Sequence, residues 1–417
     1  MASLKINKFF VKTYGCQMNF HDSGLIENGL LKKGFAKAGS IKNADIIILN
    51  TCSVRDHADH KIVSELGRFK KNYAGKKIVL AGCFAKQIKL RQENRKELSF
   101  DYCFGPDEIL SMPSALKNEL KREKENSARD DLKDYKVYAN YEGYEGYEDG
   151  QSFIDFKGKD YENHEYVEYL NGHGGDIYGE KTENGSFAVK IAEGCDNYCS
   201  YCIVPYVRGG EKSVPFGEIY ETVKKNAQKG ANEVLLLGQN VNSYISPDDG
   251  KKDFCFLLKK LSEISGLSVI KFLTSHPKDF SDKLISVVCA GDKISKEIHL
   301  PVQAGSDKIL SAMNRGYTRK DYLRLIEKLR NGNPCISVST DIIVGFPGET
   351  DEDFDGTLSL IDEVKFSSAF AFKYSPRPFT KAYEIKDDIP LEVKKERLEA
   401  VFKKLRRINA ERELNTV

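Results

Sequence analysis

The 417-residue sequence has no tryptophan, no apolar signal segment at its start and no apolar run near the ~18 residues of a membrane-spanning helix. The lack of tryptophan excludes no class of protein. The other two absences argue against a membrane-spanning or secreted protein and predict a cytosolic one. In that compartment the ten cysteines are expected to be metal ligands or thiols, and not disulfides.

The sequence also lacks an excess of charge of either sign. Its 64 Lys and Arg nearly balance its 62 Asp and Glu, which leaves a net charge of +2. A nucleic-acid-binding role would therefore depend on local basic patches and not on the overall charge. The length is too great for one hydrophobic core and predicts two or three domains.

Three cysteines lie within eight residues, at Cys195, Cys199 and Cys202. Three thiolates hold three irons of a cubane cluster and leave the fourth iron open to a ligand that is not protein. A structural zinc site would need a fourth ligand nearby, but the nearest histidines are His173 and His276. The spacing favours an open iron–sulfur site over zinc or three unrelated buried thiols.

Residues 8–117 alternate between strand and helix patterns, which predicts a small parallel α/β domain. The predicted strands cover 9–13, 45–50 and 77–81, and a fourth short strand lies within 100–105. Amphipathic stretches follow at about 20–35, 54–72 and 84–97.

Cys16, Cys52 and Cys83 each follow one of these strands and precede a helix. The carboxyl ends of parallel strands meet at one sheet edge, so we expect these thiols to converge there. Helix N-termini would favour the negative charge of thiolates. Chance could place one buried cysteine at a strand end, but three in the same position predict a second metal site. Cys103 is predicted to be a core residue, with a spare ligand as the alternative.

Residues 118–184 change in character. A charged helix-like stretch leads into a Tyr-, Gly- and acid-rich segment around 140–150 with little aliphatic content. Such a composition cannot bury a core, so we interpret 118–184 as an acidic linker or surface insertion. An acidic flap that mimics or repels phosphate is the alternative.

Residues 185–390 repeat a longer strand–helix pattern, which predicts a partial (β/α)6 barrel with the cysteine triplet after its first strand. The predicted strands are 187–192, 233–237, 268–274, 297–300, 337–344 and 368–373, and the predicted helices lie at about 216–229, 253–265, 281–290, 306–313, 319–331 and 351–363. Residues 391–417 are predicted to form a basic terminal helix. Its basic residues are Lys394, Lys395, Arg397, Lys403, Lys404, Arg406, Arg407 and Arg412.

The first predicted domain contains the motifs Thr-Tyr-Gly-Cys-Gln-Met-Asn at 13–19, Asn-Thr-Cys-Ser-Val-Arg at 50–55 and Ala-Gly-Cys at 81–83. The predicted barrel contains further motifs in the stretches 193–211, 299–307, 313–319 and 340–350. These two sets resemble the N-terminal domain and the radical-SAM core of the radical S-adenosylmethionine (SAM) methylthiotransferase family, over nearly the whole chain outside 118–184. The motif at 13–19 and Leu-Gly-Gln-Asn-Val-Asn-Ser-Tyr at 237–244 resemble the branch that acts on isopentenyl-adenosine in tRNA.

The resemblance implies two [4Fe-4S] clusters and SAM as cofactors. Carried over by position, Cys16, Cys52 and Cys83 would bind an auxiliary cluster, and Cys195, Cys199 and Cys202 would bind the cluster that cleaves SAM to a radical. The implied reaction adds a methylthio group to carbon 2 of an isopentenylated adenosine beside the tRNA anticodon. One SAM would supply the methyl group and a second the radical. The implied partners are the tRNA anticodon loop and an electron donor such as flavodoxin or ferredoxin.

Further residues are candidates for contact with SAM. For those with polar side chains, the alternative is that their hydrogen bonds only stabilise loops. The candidates follow the second, fourth and fifth barrel strands: Gln239, Asn240, Gln303, Ser306, Gly345 and Glu349. Arg208 and Glu211 could reach SAM or substrate, or form a salt bridge. His276 is predicted to be a hydrogen-bonded loop residue, and Cys255, Cys289 and Cys335 core thiols. No residue is assigned a catalytic role.

Two other functions stay open. One is methylthiolation of a ribosomal protein side chain or of another tRNA base. The other is a non-catalytic iron–sulfur module that senses redox state, although a sensor has no need of a SAM pocket. The family normally continues into a small RNA-gripping β-barrel (TRAM), and we expect none after residue 417. That expected absence and the acidic insertion predict weak RNA binding.

Overall fold

A computed structural model describes residues 7–53, 56–91, 98, 100–126, 152–154, 160–162 and 185–414. The chain divides into two compact units. The first contains Met1–Tyr147 together with Tyr206–Arg208, and the second contains Glu148–Pro205 together with Gly209–Val417. No helix in the described ranges is long and apolar enough to cross a membrane.

The first unit is built on a parallel five-stranded sheet with the order β2-β1-β3-β4-β5. Its strands are β1 (Lys8–Tyr14), β2 (Ala36–Lys37), β3 (Ile46–Thr51), β4 (Lys77–Gly82) and β5 (Tyr102–Phe104). Its helices are α1 (Gln17–Lys32), α2 (Asp56–Asn72), α3 (Cys83–Leu90) and α4 (Met112–Asn126). The predicted parallel α/β domain is confirmed, with β2 as an additional strand.

Both faces of this sheet are covered, because successive side chains of a strand point to opposite faces. Ile46 and Ile48 of β3 pack in the cluster that includes α1 and α4. Ile47 and Leu49 pack in the cluster that includes α2 and α3. The continuous apolar run of β3 therefore indicates a central strand buried on both sides.

The second unit is a partial barrel of parallel strands, as predicted. They are β8 (Ser186–Lys190), β11 (Glu233–Leu237), β12 (Val269–Phe272), β13 (Glu297–His299), β14 (Ser337–Val344) and β15 (Ser368–Lys373). They form two sheets, with β12-β11-β8 in one and β13-β14-β15 in the other. A separate short antiparallel pair, β9 (Ala192–Glu193) and β10 (Lys212–Ser213), flanks the cysteine triplet in sequence.

The helices of this unit follow the predicted pattern closely. They are α6 (Phe216–Gln228), α7 (Phe254–Ser262), α8 (Asp282–Ala290), α9 (Asp307–Ala312), α10 (Arg319–Gly332), α11 (Asp351–Val364) and α12 (Leu391–Leu414). A short helix, α5 (Val204–Arg208), comes before them in the chain, and its residues Tyr206–Arg208 belong to the first unit. Short 3-10 helices cover Val241–Ser243, Pro277–Asp279 and Lys381–Glu384 in the second unit, and Ile41–Asn43 and Pro106–Glu108 in the first unit. Capping boxes begin α10 at Thr318 and α11 at Thr350, because each hydroxyl accepts the backbone N–H three residues on.

The interpretation of 118–184 as a linker needs correction at two points. Within it, β6 (Ser152–Ile154) pairs antiparallel with β15, and β7 (Asp160–Glu162) pairs with β6. The insertion therefore extends the barrel sheet, because short strands need backbone hydrogen bonds and not a core of their own. The acid-rich stretch around 140–150 lies outside the described residues.

The basic terminal helix is confirmed as α12, but it is part of the second unit's core. Leu398, Val401, Phe402, Leu405 and Ile408 are buried in the main cluster of that unit. Four of its cations form ion pairs within the unit: Lys394 with Asp387, Arg397 with Glu349 and Asp351, and Lys404 and Arg407 with Asp362. Lys394 and Arg397 are buried with their ion pairs, whereas Arg407 is exposed. Lys395, Lys403 and Arg406 are exposed.

Candidate functional site

The strand register of the first unit brings its three predicted ligands to one sheet edge. Tyr14 of β1 is paired with Thr51 of β3, and Thr51 is paired with Gly82 of β4. Cys16, Cys52 and Cys83 lie one or two residues beyond these paired positions. Cys52 and Cys83 are buried, and Cys16 is partly exposed.

Two fully buried amides hold this edge together. Asn50 Nδ2 donates to the Asn19 carbonyl (2.7 Å) and to Ser23 Oγ (2.9 Å). Asn19 Nδ2 donates to the Thr51 carbonyl (3.1 Å), and the Cys16 thiol donates to Asn19 Oδ1 (3.3 Å). The network ties the loop that carries Cys16 to the end of β3. The sequence motifs contain both asparagines, but the spacing alone gave them no role.

A buried ion pair lies against Cys83, the third predicted ligand of this unit. Arg208 Nη2 is 2.7 Å from Asp22 Oδ2, and the two side chains are 3% and 2% exposed. Arg208 Nε donates to Cys83 Sγ (3.3 Å). Burial opposes ionisation of Asp22, but Arg208 and His21 outweigh it and lower the pKa of this carboxyl to about 2. Of the two alternatives for Arg208, the salt bridge is observed, and no sequence signal pointed to Asp22.

The second triplet lies in a loop between β9 and α5 that hydrogen bonds pin at several points. Cys202 N donates to the Cys199 carbonyl (2.9 Å), and Cys195 N donates to the Gly209 carbonyl (3.2 Å). Asn197 Nδ2 donates to Cys195 Sγ (3.3 Å). Asn314 and Ser200 connect the loop to the segment around α9. The three thiols therefore have fixed positions within the second unit.

Arg315 is a buried contact of this loop that the sequence analysis missed. Its Nη1 donates to Cys199 Sγ (3.2 Å), and the residue is only 4% exposed. Arg315 lies in the Met-Asn-Arg-Gly-Tyr-Thr-Arg motif at 313–319, which was the available signal.

The donor chemistry of both triplets fits iron–sulfur clusters. Burial raises the pKa of Cys83 and Cys195, and raises that of Cys202 to about 12, so these groups are neutral thiols without metal. Metal binding would therefore release their protons. In the described ranges no three Cys, His, Asp or Glu side chains are grouped to hold a single metal ion. A cubane is compatible with that arrangement because each thiolate binds its own iron.

Three of the candidate SAM contacts already make hydrogen bonds within the second unit. Gln239 Oε1 accepts from Gly194 N (2.6 Å), next to Cys195. Asn240 Nδ2 donates to Asp279 (2.7 Å), and its Oδ1 accepts from His276 N (3.2 Å). Ser306 Oγ donates to Asp353 Oδ1 (2.6 Å). These bonds stabilise loops, and contact with SAM stays a prediction for all three.

The other three candidates lie at turns with unusual backbone geometry. Gln303 is buried and has φ 76°, a value that is uncommon for a residue other than glycine. Gly345 has φ 69°, and its N–H donates to Glu349 Oε2 (2.6 Å). Glu349 is 2% exposed, and the same oxygen accepts from Arg397 (2.7 Å). Its carboxylate closes the turn after β14, while Oε1 is buried with no hydrogen-bond partner in the described residues.

The remaining candidates are placed as follows. Glu211 Oε2 accepts from the Ser243 hydroxyl (2.6 Å). His276 is a hydrogen-bonded loop residue as predicted, since its Nδ1 accepts from Lys278 N (3.2 Å). Cys103 is on β5, partly buried and packed against a core cluster, in line with the prediction of a core residue. Cys335 is exposed, so the prediction of a core thiol is wrong there, because the turn before β14 faces solvent.

Two family descriptions match separate parts of the chain. Residues 189–361 match the Radical SAM superfamily. Residues 8–105 match the uncharacterized protein family UPF0004.

Curated relatives match along nearly the whole chain. The tRNA-2-methylthio-N(6)-dimethylallyladenosine synthase of Pelotomaculum thermopropionicum is 39% identical over 98% of this chain and 84% of its own length. The protein of the same name from Carboxydothermus hydrogenoformans is 40% identical over 94% of this chain and 82% of its own length.

Solved structures share the fold at low identity. The radical SAM methyltransferase TsrM from Kitasatospora setae, with cobalamin and a [4Fe-4S] cluster bound, is 12% identical with a TM-score of 0.55, covering 90% of this chain and 74% of that one. The cobalamin-dependent SAM radical enzyme OxsB is 13% identical with a TM-score of 0.53, covering 95% of this chain and 56% of that one.

Proposed function

The chain belongs to the radical-SAM methylthiotransferase family, and we propose that it transfers a methylthio group to carbon 2 of an N6-isopentenylated adenosine beside a tRNA anticodon. The observation that carries the proposal is the register of β1, β3 and β4, which sets a second thiol triplet at one sheet edge. A radical-SAM enzyme that only cleaved SAM would need the Cys195, Cys199 and Cys202 triplet alone.

The enzymes of this family use [4Fe-4S] clusters and SAM. We assign one cluster to Cys16, Cys52 and Cys83 and the other to Cys195, Cys199 and Cys202. When bound, these groups supply a carbon radical that can remove an unreactive hydrogen and a sulfur that receives the methyl group. The chain's own residues orient, shield and charge-balance the two sites.

Specific side chains carry that work. The Asn19 and Asn50 amides hold the loop of Cys16 against the end of β3. Asn197 donates to Cys195 Sγ and Arg208 to Cys83 Sγ, and both contacts favour the thiolate form of the cysteines. Cys195 and Cys199 are nearly buried, which keeps water from reactive species.

The substrate sets the remaining partners. A base in a stacked anticodon loop must leave the stack before its carbon 2 can reach a buried site. We therefore expect recognition of an extruded adenosine, an electron donor such as flavodoxin or ferredoxin, and action in the cytoplasm, where tRNA is modified.

Metal content tests the cofactor assignment. Anaerobically reconstituted protein should hold about eight irons, and changing Cys195, Cys199 and Cys202 together to Ala should halve that number. The matched control changes Cys255, Cys289 and Cys335 to Ala and should leave the iron content unaltered. Full iron retention after the first change would refute the assignment of a cluster to Cys195, Cys199 and Cys202.

Nucleoside mass spectrometry tests the substrate. Reconstituted protein, SAM and a strong reductant are incubated with a tRNA that carries isopentenyl-adenosine, and the digest should contain its 2-methylthio form. The same tRNA without the isopentenyl group serves as the control and should remain unmodified. Formation of 5′-deoxyadenosine without methylthiolation of either tRNA would favour a ribosomal protein or another base as the substrate. Absence of 5′-deoxyadenosine would refute the proposal that the protein is a radical-SAM enzyme.

A further inference from the structure

The guanidinium of Arg315 is buried beside a cluster ligand and is held on three sides. Nη1 donates to Cys199 Sγ (3.2 Å) and to the Tyr201 hydroxyl (3.3 Å). Nη2 donates to the Pro301 carbonyl (2.8 Å). Nε donates to the Tyr317 hydroxyl (3.0 Å), which itself donates to the Val302 carbonyl (2.9 Å). The planar group is therefore fixed in position.

All of these acceptors are neutral except for Cys199 when it is a thiolate. In the part of the chain that the structure describes, no carboxylate forms a salt bridge with Arg315. Two other buried arginines differ: Arg208 is paired with Asp22, and Arg397 is paired with Glu349 and Asp351. An uncompensated buried charge is strongly unfavourable, so the fold needs a negative group at this point.

A thiolate-ligated cluster supplies that negative group. Cysteine binds iron as the thiolate, and each one-electron reduction adds a further negative charge to the assembly. The positive charge of Arg315, delivered 3.2 Å from a ligand sulfur, stabilises the reduced form more than the oxidised form. A hydrogen bond to a ligand sulfur acts in the same direction.

We propose that Arg315 is the counter-charge of the cluster at Cys195, Cys199 and Cys202 and raises its reduction potential, so that the cluster accepts an electron more readily. This inference rests on the proposed function, which assigns that cluster. Arg315 acts through Cys199 and is a positioning residue, because it contacts a ligand sulfur and not the substrate.

Two substitutions separate charge from structure. Arg315→Gln removes the charge and retains amide donors, whereas Arg315→Lys retains the charge and loses the planar fork. A purely structural role predicts that Lys is at least as harmful as Gln. A counter-charge predicts the opposite order.

The measurement is an anaerobic redox titration of the reconstituted full-length protein followed by EPR, using the signal that changes on addition of SAM. Arg315→Gln should lower the equilibrium constant for one-electron reduction of the cluster at least tenfold. This corresponds to a shift of its reduction potential by about 59 mV to more negative values. Arg315→Lys should change the equilibrium constant less than threefold. Lys328→Gln is the control, because it removes the same charge from a side chain that is 54% exposed and should leave the potential unaltered.

The outcomes are decisive in either direction. The inference is overturned if the reduction equilibrium constant of Arg315→Gln is within threefold of that of the unaltered protein, or if that of Arg315→Lys falls as far as that of Arg315→Gln. If Arg315→Gln does not take up iron, Arg315→Lys alone provides the test. A reduction equilibrium constant within threefold of the unaltered protein then supports the counter-charge, and a tenfold fall overturns it. Lack of iron or of a SAM-sensitive signal in the unaltered protein would instead refute the proposed function.

Discussion

Arg208 and Asp22 form a buried ion pair across 2.7 Å, although 186 residues separate them in the chain. Both belong to the first unit, and the same guanidinium donates to Cys83. The pair therefore links the stability of that unit to the geometry of a predicted cluster ligand.

Removing one member of this pair should be strongly destabilising. Asp22→Asn or Arg208→Met leaves a buried charge without its partner, and we expect each to lower the free energy of unfolding of the first unit by about 3–5 kcal/mol. The double variant should recover part of the loss, which urea denaturation of the metal-free proteins measures. Glu27→Gln is the control: its partner Lys37 is 54% exposed, so the cost should stay below about 1 kcal/mol. Similar losses at both pairs would contradict the buried role.

The same carboxyl should make stability depend on acid pH. The pKa of Asp22 is lowered to about 2 in the folded protein, against an ordinary value of 3.8. A group with a lowered folded pKa contributes stability above its unfolded pKa and loses it as the pH falls toward the folded value. The metal-free protein should lose roughly 2 kcal/mol between about pH 4 and pH 2 that Asp22→Asn does not lose. Parallel stability curves for the two proteins would exclude this contribution.

The two cysteine triplets should have separable roles in the reaction. Cys52→Ala should abolish methylthiolation but leave measurable 5′-deoxyadenosine formation, because the SAM-cleaving triplet lies in the other unit. Cys199→Ala should abolish both activities. Product analysis of each reaction by liquid chromatography and mass spectrometry distinguishes them. Equal loss of both activities in Cys52→Ala would mean that the roles are not separable.

Two glycines of the turn after β14 provide a matched pair. Gly345 and Gly348 have φ values of 69° and 79°, so alanine at either position is strained by roughly 1–2 kcal/mol. A Cβ on Gly345 would overlap Lys394 Cγ, whereas a Cβ on Gly348 meets nothing within 4 Å. Gly345→Ala should therefore cost about 1–3 kcal/mol more than Gly348→Ala, as measured by thermal unfolding. Equal costs would show that Lys394 moves aside freely.

The acidic insertion should oppose RNA binding. Residues 136–150, which lie outside the described ranges, contain Glu142, Glu145, Glu148 and Asp149 against one lysine. Deleting them should tighten tRNA binding at low salt but hardly at high salt, where screening shortens the field to ~3 Å at 1 M. Filter binding across a salt series measures this. Weaker binding after the deletion would instead indicate that the tyrosines of this segment stack on unpaired bases.

Much of the architecture was predictable because it depends on local periodicity. Strands Glu233–Leu237, Ser337–Val344 and Ser368–Lys373 were predicted residue for residue, since short apolar runs between helical stretches identify buried parallel strands. The convergence of Cys16, Cys52 and Cys83 followed from strand order and is borne out by the register. The spacing of the second triplet is local and needed no tertiary information.

The sequence by itself thus determined the two α/β units, the two thiol triplets and the family, because each depends on patterns within a few tens of residues. Only the tertiary structure decided which charges meet. It paired Arg208 with Asp22, brought Arg315 to Cys199 across 116 residues, and formed ion pairs to four basic residues of the terminal helix. It also recruited Ser152–Ile154 and Asp160–Glu162 to the barrel sheet. The chain contains many possible partners for each of these groups, and the sequence does not distinguish among them. Only the folded path of the backbone determines which partner lies within bonding distance.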